Sequence, residues 1–137
     1  MNRVVYVHRS NILAEHKTIA VVDNNLHILQ CLDLLLSSCG YHSKLFASAE
    51  EFLSAAPTVG AACLIVDIQL GNVSGLQLVR TLSAQGFALP VIFITASWNE
   101  LHRREAMELG CAAFFLKPFS PERLTEAVAK AIGSKLN

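Results

Sequence analysis

The stretch ACLIVDIQLGNVSGLQLVRTLSAQG, residues 62–86, passes from an unbroken apolar run into a single carboxylate, Asp67, then through a glycine-flanked turn into a segment with helical spacing. A strand with one wet face alternates apolar and polar residues. Residues 62–66 are apolar at every position, as a parallel strand covered on both faces requires. Ser74 offers a capping oxygen to the segment that follows, and Gly86 marks its stop.

The same pattern recurs on both sides. Toward the N-terminus, 19–22 (IAVV) runs into Asp23-Asn24-Asn25, and Asn25 precedes LHILQCLDLLLSSC with Gly40 as the stop. Residues 43–46 form a weaker strand, followed by Ser48 and AEEFLSAA, with Glu51 three residues after the cap. Toward the C-terminus, 91–94 ends at Thr95-Ala96-Ser97, and a helix over 99–109 stops at Gly110. A last, weaker strand at 113–116 leads through Lys117-Pro118 to Ser120-Pro121-Glu122, where proline at the first helical position opens the final helix. Five strand–helix pairs in alternation predict an α/β fold: a doubly wound, five-stranded parallel sheet with helices on both faces. The carboxyl ends of all its strands then gather along one edge, which is where such sheets place their sites.

A chain of 137 residues suits one compact domain. Residues 1–17 fit no core element and read as an N-terminal extension, native or appended, ahead of a domain covering 18–137. With 53% hydrophobic and 16% charged residues there is ample apolar side chain for a dense core. Eleven basic residues balance eleven acidic ones, so the domain lacks the positive field that would bind nucleic acid or anionic membrane by itself. No apolar run nears the roughly 18 residues of a membrane span, and no signal-peptide core opens the chain. Cys31, Cys39, Cys63 and Cys111 are far apart, form no metal-type pair, and read as reduced, buried thiols of a cytoplasmic protein. His8, His16, His27, His42 and His102 likewise form no ligand-spaced set.

Chemistry is expected at the strand ends. Asp23, Asp67, Thr95 and Lys117 would share one crevice: two carboxylates, a hydroxyl and an ammonium. Any one of them alone is explained equally well as a strand-ending cap; their convergence suits phosphoryl transfer. A carboxylate attacks phosphorus to give an acyl phosphate once the repulsion between the two anions is neutralised. Asp67 is the candidate nucleophile, Asp23 a ligand for a hard divalent cation, Lys117 a fixed positive charge, and Thr95 a hydroxyl donor that moves toward the attached group.

At these residues the chain resembles the receiver domain of two-component response regulators, over about 18–134. IAVVDNN resembles the family's acidic turn, LIVDIQLGNVSGLQL its phosphoacceptor segment, PVIFITA its hydroxyl-bearing fourth strand and FFLKPF its lysine-proline signature. The resemblance implies a flavodoxin-like sheet in the order 2-1-3-4-5, phosphorylation on Asp67, and Mg2+ held by Asp23, Asp67 and the Gln69 backbone carbonyl. It further implies contacts from Thr95 and Lys117 to the phosphoryl group and a cis Lys117-Pro118 bond. Asn24 departs from the pattern: the family usually has a second acid there, so this ligand is weakened and Mg2+ affinity reduced. The turn after Asp67 also lacks the family's usual proline.

The family's switch couples Thr95 to an aromatic three residues before the lysine, here Phe114, which reads equally well as a plain core residue. Trp98, Phe115, Leu116 and Phe119 are candidates for an output surface, with a homodimer through the fourth helix, fifth strand and fifth helix. A sensor histidine kinase or phosphotransfer protein would supply the phosphoryl group, docking against residues 26–36. The domain is read as a phosphoacceptor module within a transcriptional regulator, with self-catalysed phosphoryl transfer and loss but no conventional enzyme activity. A pseudo-receiver, docking or dimerising without phosphorylation, is the alternative. A hydrolase or nucleotide-binding role is disfavoured, because no G-x-x-x-x-G-K-[ST] loop, G-x-G-x-x-G turn or G-x-S-x-G elbow is present.

Overall fold

The structure, a computed structural model, describes residues 17–133. The extension at 1–17, apart from Lys17, lies outside the described residues, as do His8 and His16.

Strands β1 (Thr18–Val22), β2 (His42–Phe46), β3 (Cys63–Asp67), β4 (Val91–Thr95) and β5 (Ala113–Leu116) alternate with α1 (Leu26–Ser38), α2 (Ala49–Val59), α3 (Gly75–Ala84), α4 (Glu100–Glu108) and α5 (Pro121–Ala131). The strands form one parallel sheet in the order β2-β1-β3-β4-β5. Alternate residues of each central strand feed opposite cores. Ile19, Val21, Cys63, Ile65, Ile92 and Ile94 pack with Leu29, Leu32 and Leu36 of α1 and Leu124 and Val128 of α5. Ala20, Val22, Leu64, Val66, Val91 and Phe93 pack with Phe52, Leu76, Leu78 and Ala106 from α2, α3 and α4. Both faces of the sheet are therefore dry, which is why the sequence shows runs and not alternation. Each large side chain buried this way contributes about 1.5–3 kcal/mol.

The caps stand where the polar residues fall. Asn25, Ser48, Asn99 and Ser120 each accept from a backbone N–H in the first turn of the helix they precede. Ser74 and Gln77 close a reciprocal capping box on α3.

Several boundaries differ from the sequence reading. β3 and β4 each run one residue past the apolar stretch, because Asp67 and Thr95 keep their ladder positions opposite Ile94 and Leu116. α2 continues through Pro57 to Val59 and ends where Gly60 turns left-handed at φ 64°. The cysteines need the larger correction: of the four expected to be buried, only Cys63 is, while Cys31 and Cys39 are exposed and Cys111 half-buried. α1 turns Leu29, Leu32 and Leu36 inward, which rotates Cys31 to solvent, and Cys39 is the C-cap. For the same reason residues 26–36 are not one docking surface: Leu26 and Leu34 are 65% and 72% exposed, but Leu29, Leu32 and Leu36 are closed in the core.

Candidate functional site

Asp23, Asp67, Thr95 and Lys117 come together at the carboxyl edge of the sheet. Asp67 is the last residue of β3 and only 3% exposed; Asp23 follows β1 and is fully buried. Lys117 follows β5, where its backbone N–H donates to the Thr95 carbonyl at 2.8 Å and its peptide bond to Pro118 is cis. Its Nζ lies 3.0 Å from Asp67 Oδ2 and 2.9 Å from Asp23 Oδ2. One ammonium thus answers two carboxylates.

The remaining oxygens differ. Asp23 Oδ1 accepts from the Asn25 N–H at 2.8 Å, and Asp67 Oδ1 from the Gln69 N–H at 2.9 Å. Asp23 Oδ2, although within ion-pair range of Lys117, is buried without a hydrogen bond of good direction. A buried carboxylate oxygen left this way is costly unless a cation completes it. Burial pushes the Asp67 carboxyl above the usual carboxylate range; the Gln69 N–H and Lys117 hydrogen bonds oppose this, and the charge of Asp23 adds to it. For Lys117 burial is the largest influence and acts downward, but the hydrogen bonds and charges of Asp23 and Asp67 together outweigh it and hold the ammonium above its ordinary value.

Thr95 is 1% exposed, and its hydroxyl makes no hydrogen bond to Asp67. It donates instead to the Ser97 carbonyl at 3.1 Å and accepts from the Ser97 N–H at 3.4 Å. Beside it, Gln69 Nε2 donates to Ser97 Oγ at 2.9 Å. Sequence reasoning missed this Gln69–Ser97 bridge. Each residue lies two positions beyond a strand-ending polar residue, on neighbouring parallel strands, and that shared offset is the signal that would have found it.

A hard cation fits the donors present. Asp23 Oδ2 lacks a full partner, Asp67 stands beside it, and both offer carboxylate oxygens, the donor type that Mg2+ takes along with retained waters. The charge count is low. Among the described residues no group of three or more His, Cys, Asp or Glu stands ready to hold a metal, and Asn24, next to Asp23, is exposed and neutral.

The expected output residues divide. The rings of Trp98 and Phe114 meet edge to face at 5.9 Å, with Trp98 58% exposed. Phe114 packs on the core shared by α2, α3 and α4, whereas Phe115 and Phe119 are half-buried against the α1 and α5 core on the other side of the sheet. Leu116 is 42% exposed. The four candidates do not make one continuous patch, because neighbouring β5 side chains point to opposite faces.

Residues 19–129 match the response regulator receiver domain family. The chain belongs to that family. This receiver is 36% identical over 115 residues to the transcriptional regulatory protein TdiR of Thauera aromatica, covering 84% of this chain and 51% of TdiR. It is 32% identical over 114 residues to the transcriptional regulatory protein FixJ of Bradyrhizobium diazoefficiens, covering 83% of this chain and 56% of FixJ. Among solved structures it resembles full-length FixJ from B. japonicum (TM-score 0.80, 31% identity, 86% of this chain and 58% of that one). The structure of FixJ-N gives a TM-score of 0.79 at 30% identity, covering 88% of this chain and 97% of that one. The receiver thus spans about half the length of the curated relatives it matches. Receiver domains of this family bind Mg2+ at their phosphorylation site, interact with histidine kinases or phosphotransfer proteins, and are generally not enzymes. No helix among the described residues is long and apolar enough to cross a membrane.

Proposed function

We propose that Asp67 is the phosphoacceptor of this receiver, and that Asp23, Asp67 and the Gln69 backbone carbonyl hold Mg2+ with Asn24 as a weakened ligand. The observation that carries this reading is the single ammonium of Lys117 placed 2.9 and 3.0 Å from two buried carboxylates. Bound Mg2+ supplies positive charge against the phosphoryl oxygens. The chain's own groups do the rest. An Asp67 carboxylate oxygen forms the new bond to phosphorus, and the donor group departs with the electron pair of the bond that breaks. Lys117, already between the carboxylates, neutralises charge as it shifts from Asp67 to the phosphoryl oxygens. Thr95 gives up its bond to Ser97 and donates to the phosphoryl group, and Phe114 responds by moving inward.

Phosphorylation is supplied by a sensor histidine kinase or phosphotransfer protein. It alters an output surface around Trp98 and Leu116, with Phe115 and Phe119 behind it, through which α4, β5 and α5 form a homodimer. The domain itself binds neither nucleic acid nor membrane and works in the cytoplasm as part of a transcriptional regulator, as the printed names of its relatives suggest.

Incubation with Mg2+ and acetyl phosphate or phosphoramidate tests the reading. Intact-mass measurement is expected to show one added phosphoryl group on the wild type and none on Asp67→Ala. The neutral, exposed Asn24 favours a second reading, a pseudo-receiver that docks without phosphorylation; an unchanged wild-type mass under these conditions would favour it over the first.

A further inference from the structure

β2 is an edge of the sheet, and one long side of it meets no other strand among the described residues. The His42 N–H donates to the Lys17 carbonyl and the Phe46 carbonyl accepts from the Asp23 N–H, both at 3.1 Å, so residues 42, 44 and 46 turn their backbone toward β1. Alternate residues of a parallel strand turn theirs the other way. The N–H and C=O groups of Ser43 and Leu45 therefore point out of the sheet. Such a row is a template for another strand, which proteins cover or else blunt with charge and proline. β2 has a single lysine, Lys44, and no proline.

Apolar side chains follow the same border. Ser43 Oγ bonds the Asp33 carboxylate, which fixes the side of α1 that overlooks β2. Leu26, Gln30 and Leu34 run along that side at i, i+4 and i+8. Leu34 and Leu26 are the two most exposed large apolar side chains among the described residues. Leu45, also exposed, points the same way, because its neighbour Phe46 packs on the opposite core.

We propose that residues 3–7, RVVYV, add to β2 as a sixth, antiparallel strand that covers these leucines, so that the edge is taken within the chain and not by a second copy. Position supports this. Sixteen residues precede Lys17, and Lys17 is bonded to the first residue of β2. A strand on the outer side of β2 sits about 10 Å from β1, two strand spacings, a gap that three or four extended residues cross. Residues 8–16 are ample for it. A chain that passes beneath the start of β2 must then run antiparallel to it.

Composition supports it as well. Three valines and a tyrosine suit a pleated surface. Val5 and Val7 share one face and Val4 and Tyr6 the other, so an apolar face meets Leu26, Leu34 and Leu45 in either register. Arg3 falls at the end nearest α2, where Glu50 is exposed in the first turn.

Residue-resolved amide hydrogen exchange on the full chain tests the proposal, with wild type, Val5→Pro and Tyr6→Pro compared. Adjacent residues of a strand aim their N–H groups to opposite sides, so one of the two prolines removes a donor from the pairing. In that variant the amides of Ser43 and Leu45 are expected to exchange at least tenfold faster than in wild type, while Lys44, held by β1, is unchanged. Wild-type protection is expected to be independent of protein concentration. Rates at Ser43 and Leu45 that neither proline alters would overturn the proposal. Protection that falls on dilution would overturn it too, and would assign the edge to a second copy.

Discussion

Lys117 and Asp67, fifty residues apart in sequence, are joined by a 3.0 Å hydrogen bond from Nζ to Oδ2, and the same ammonium stands 2.9 Å from Asp23. Removing it leaves two buried carboxylates facing each other. Lys117→Met keeps an unbranched apolar stem one atom shorter and removes the charge. It is expected to cost about 3 kcal/mol, as for other buried pairs that lose one partner. In a domain of this size that lowers Tm by roughly 10 °C. Calorimetry in EDTA measures the loss. A Tm within a degree of wild type would show that the two carboxylates do not depend on this charge.

The direction of the Asp67 shift fixes a pH dependence. Its folded pKa lies above the usual 3.8, so the fold favours the neutral acid. The associated stability is full below the unfolded value and lost as pH rises through the folded one. Asp67→Asn abolishes that loss. The Tm difference between variant and wild type is expected to be near zero at the acid end of a titration and to grow in the variant's favour as pH rises through the folded value. Lys117 acts at the other end: its raised pKa means stability present below its usual 10.5 and lost as pH climbs through the folded value. Melting curves from pH 3 to 11 read both limbs.

How much of this was legible depended on where burial is symmetric. Residues 63–66 and 91–94 are dry on both faces, so their sequence carries an unbroken signal, and the polar residues that end them, Asp67 and Thr95, mark the crevice without further information. β2 is an edge strand with little burial, and its sequence, HSKLF, is correspondingly faint. Exposure of Cys31 depends on the rotation of α1, and the division of Phe114 from Phe115 depends on which helices lie on each face. Both are set by tertiary packing. The Gln69–Ser97 bridge joins residues 28 apart, so the offset that marks it is readable only once β3 and β4 are known to be neighbours.

Asn24 offers a gain of function. Placing a carboxylate beside Asp23 adds charge where a hard cation is short of it, so Asn24→Asp is expected to bind Mg2+ about tenfold more tightly, about 1.4 kcal/mol. Without metal the same change crowds a third negative charge against Asp23 and Asp67, and the variant is expected to melt below wild type in EDTA and above it at saturating Mg2+. Titration calorimetry with MgCl2 and paired melts measure both. Equal Mg2+ affinity in the two proteins would remove Asn24 from the metal site.

Gly75 positions Asp67 by having no side chain. A Cβ there would lie 2.3 Å from the Asp67 carbonyl oxygen, closer than any real contact, and the Gly75 N–H donates to the Ile68 carbonyl at 2.8 Å. The start of α3 is thus pressed against the backbone that aims the acceptor carboxylate. Gly75→Ala must push the two apart, at an expected cost of about 2–3 kcal/mol, typical of overpacking, and with slower phosphorylation because Asp67 shifts relative to Lys117. Gly71 is the informative comparison. It lies in the same loop at φ 96° with open space around the position a Cβ would take, so Gly71→Ala carries only conformational strain, about 1 kcal/mol, and leaves the acceptor in place. Urea denaturation of both variants, paired with the rate of mass gain from acetyl phosphate, separates steric from conformational effects. Equal losses in the two variants would show that the contact with Asp67 does not hold the acceptor.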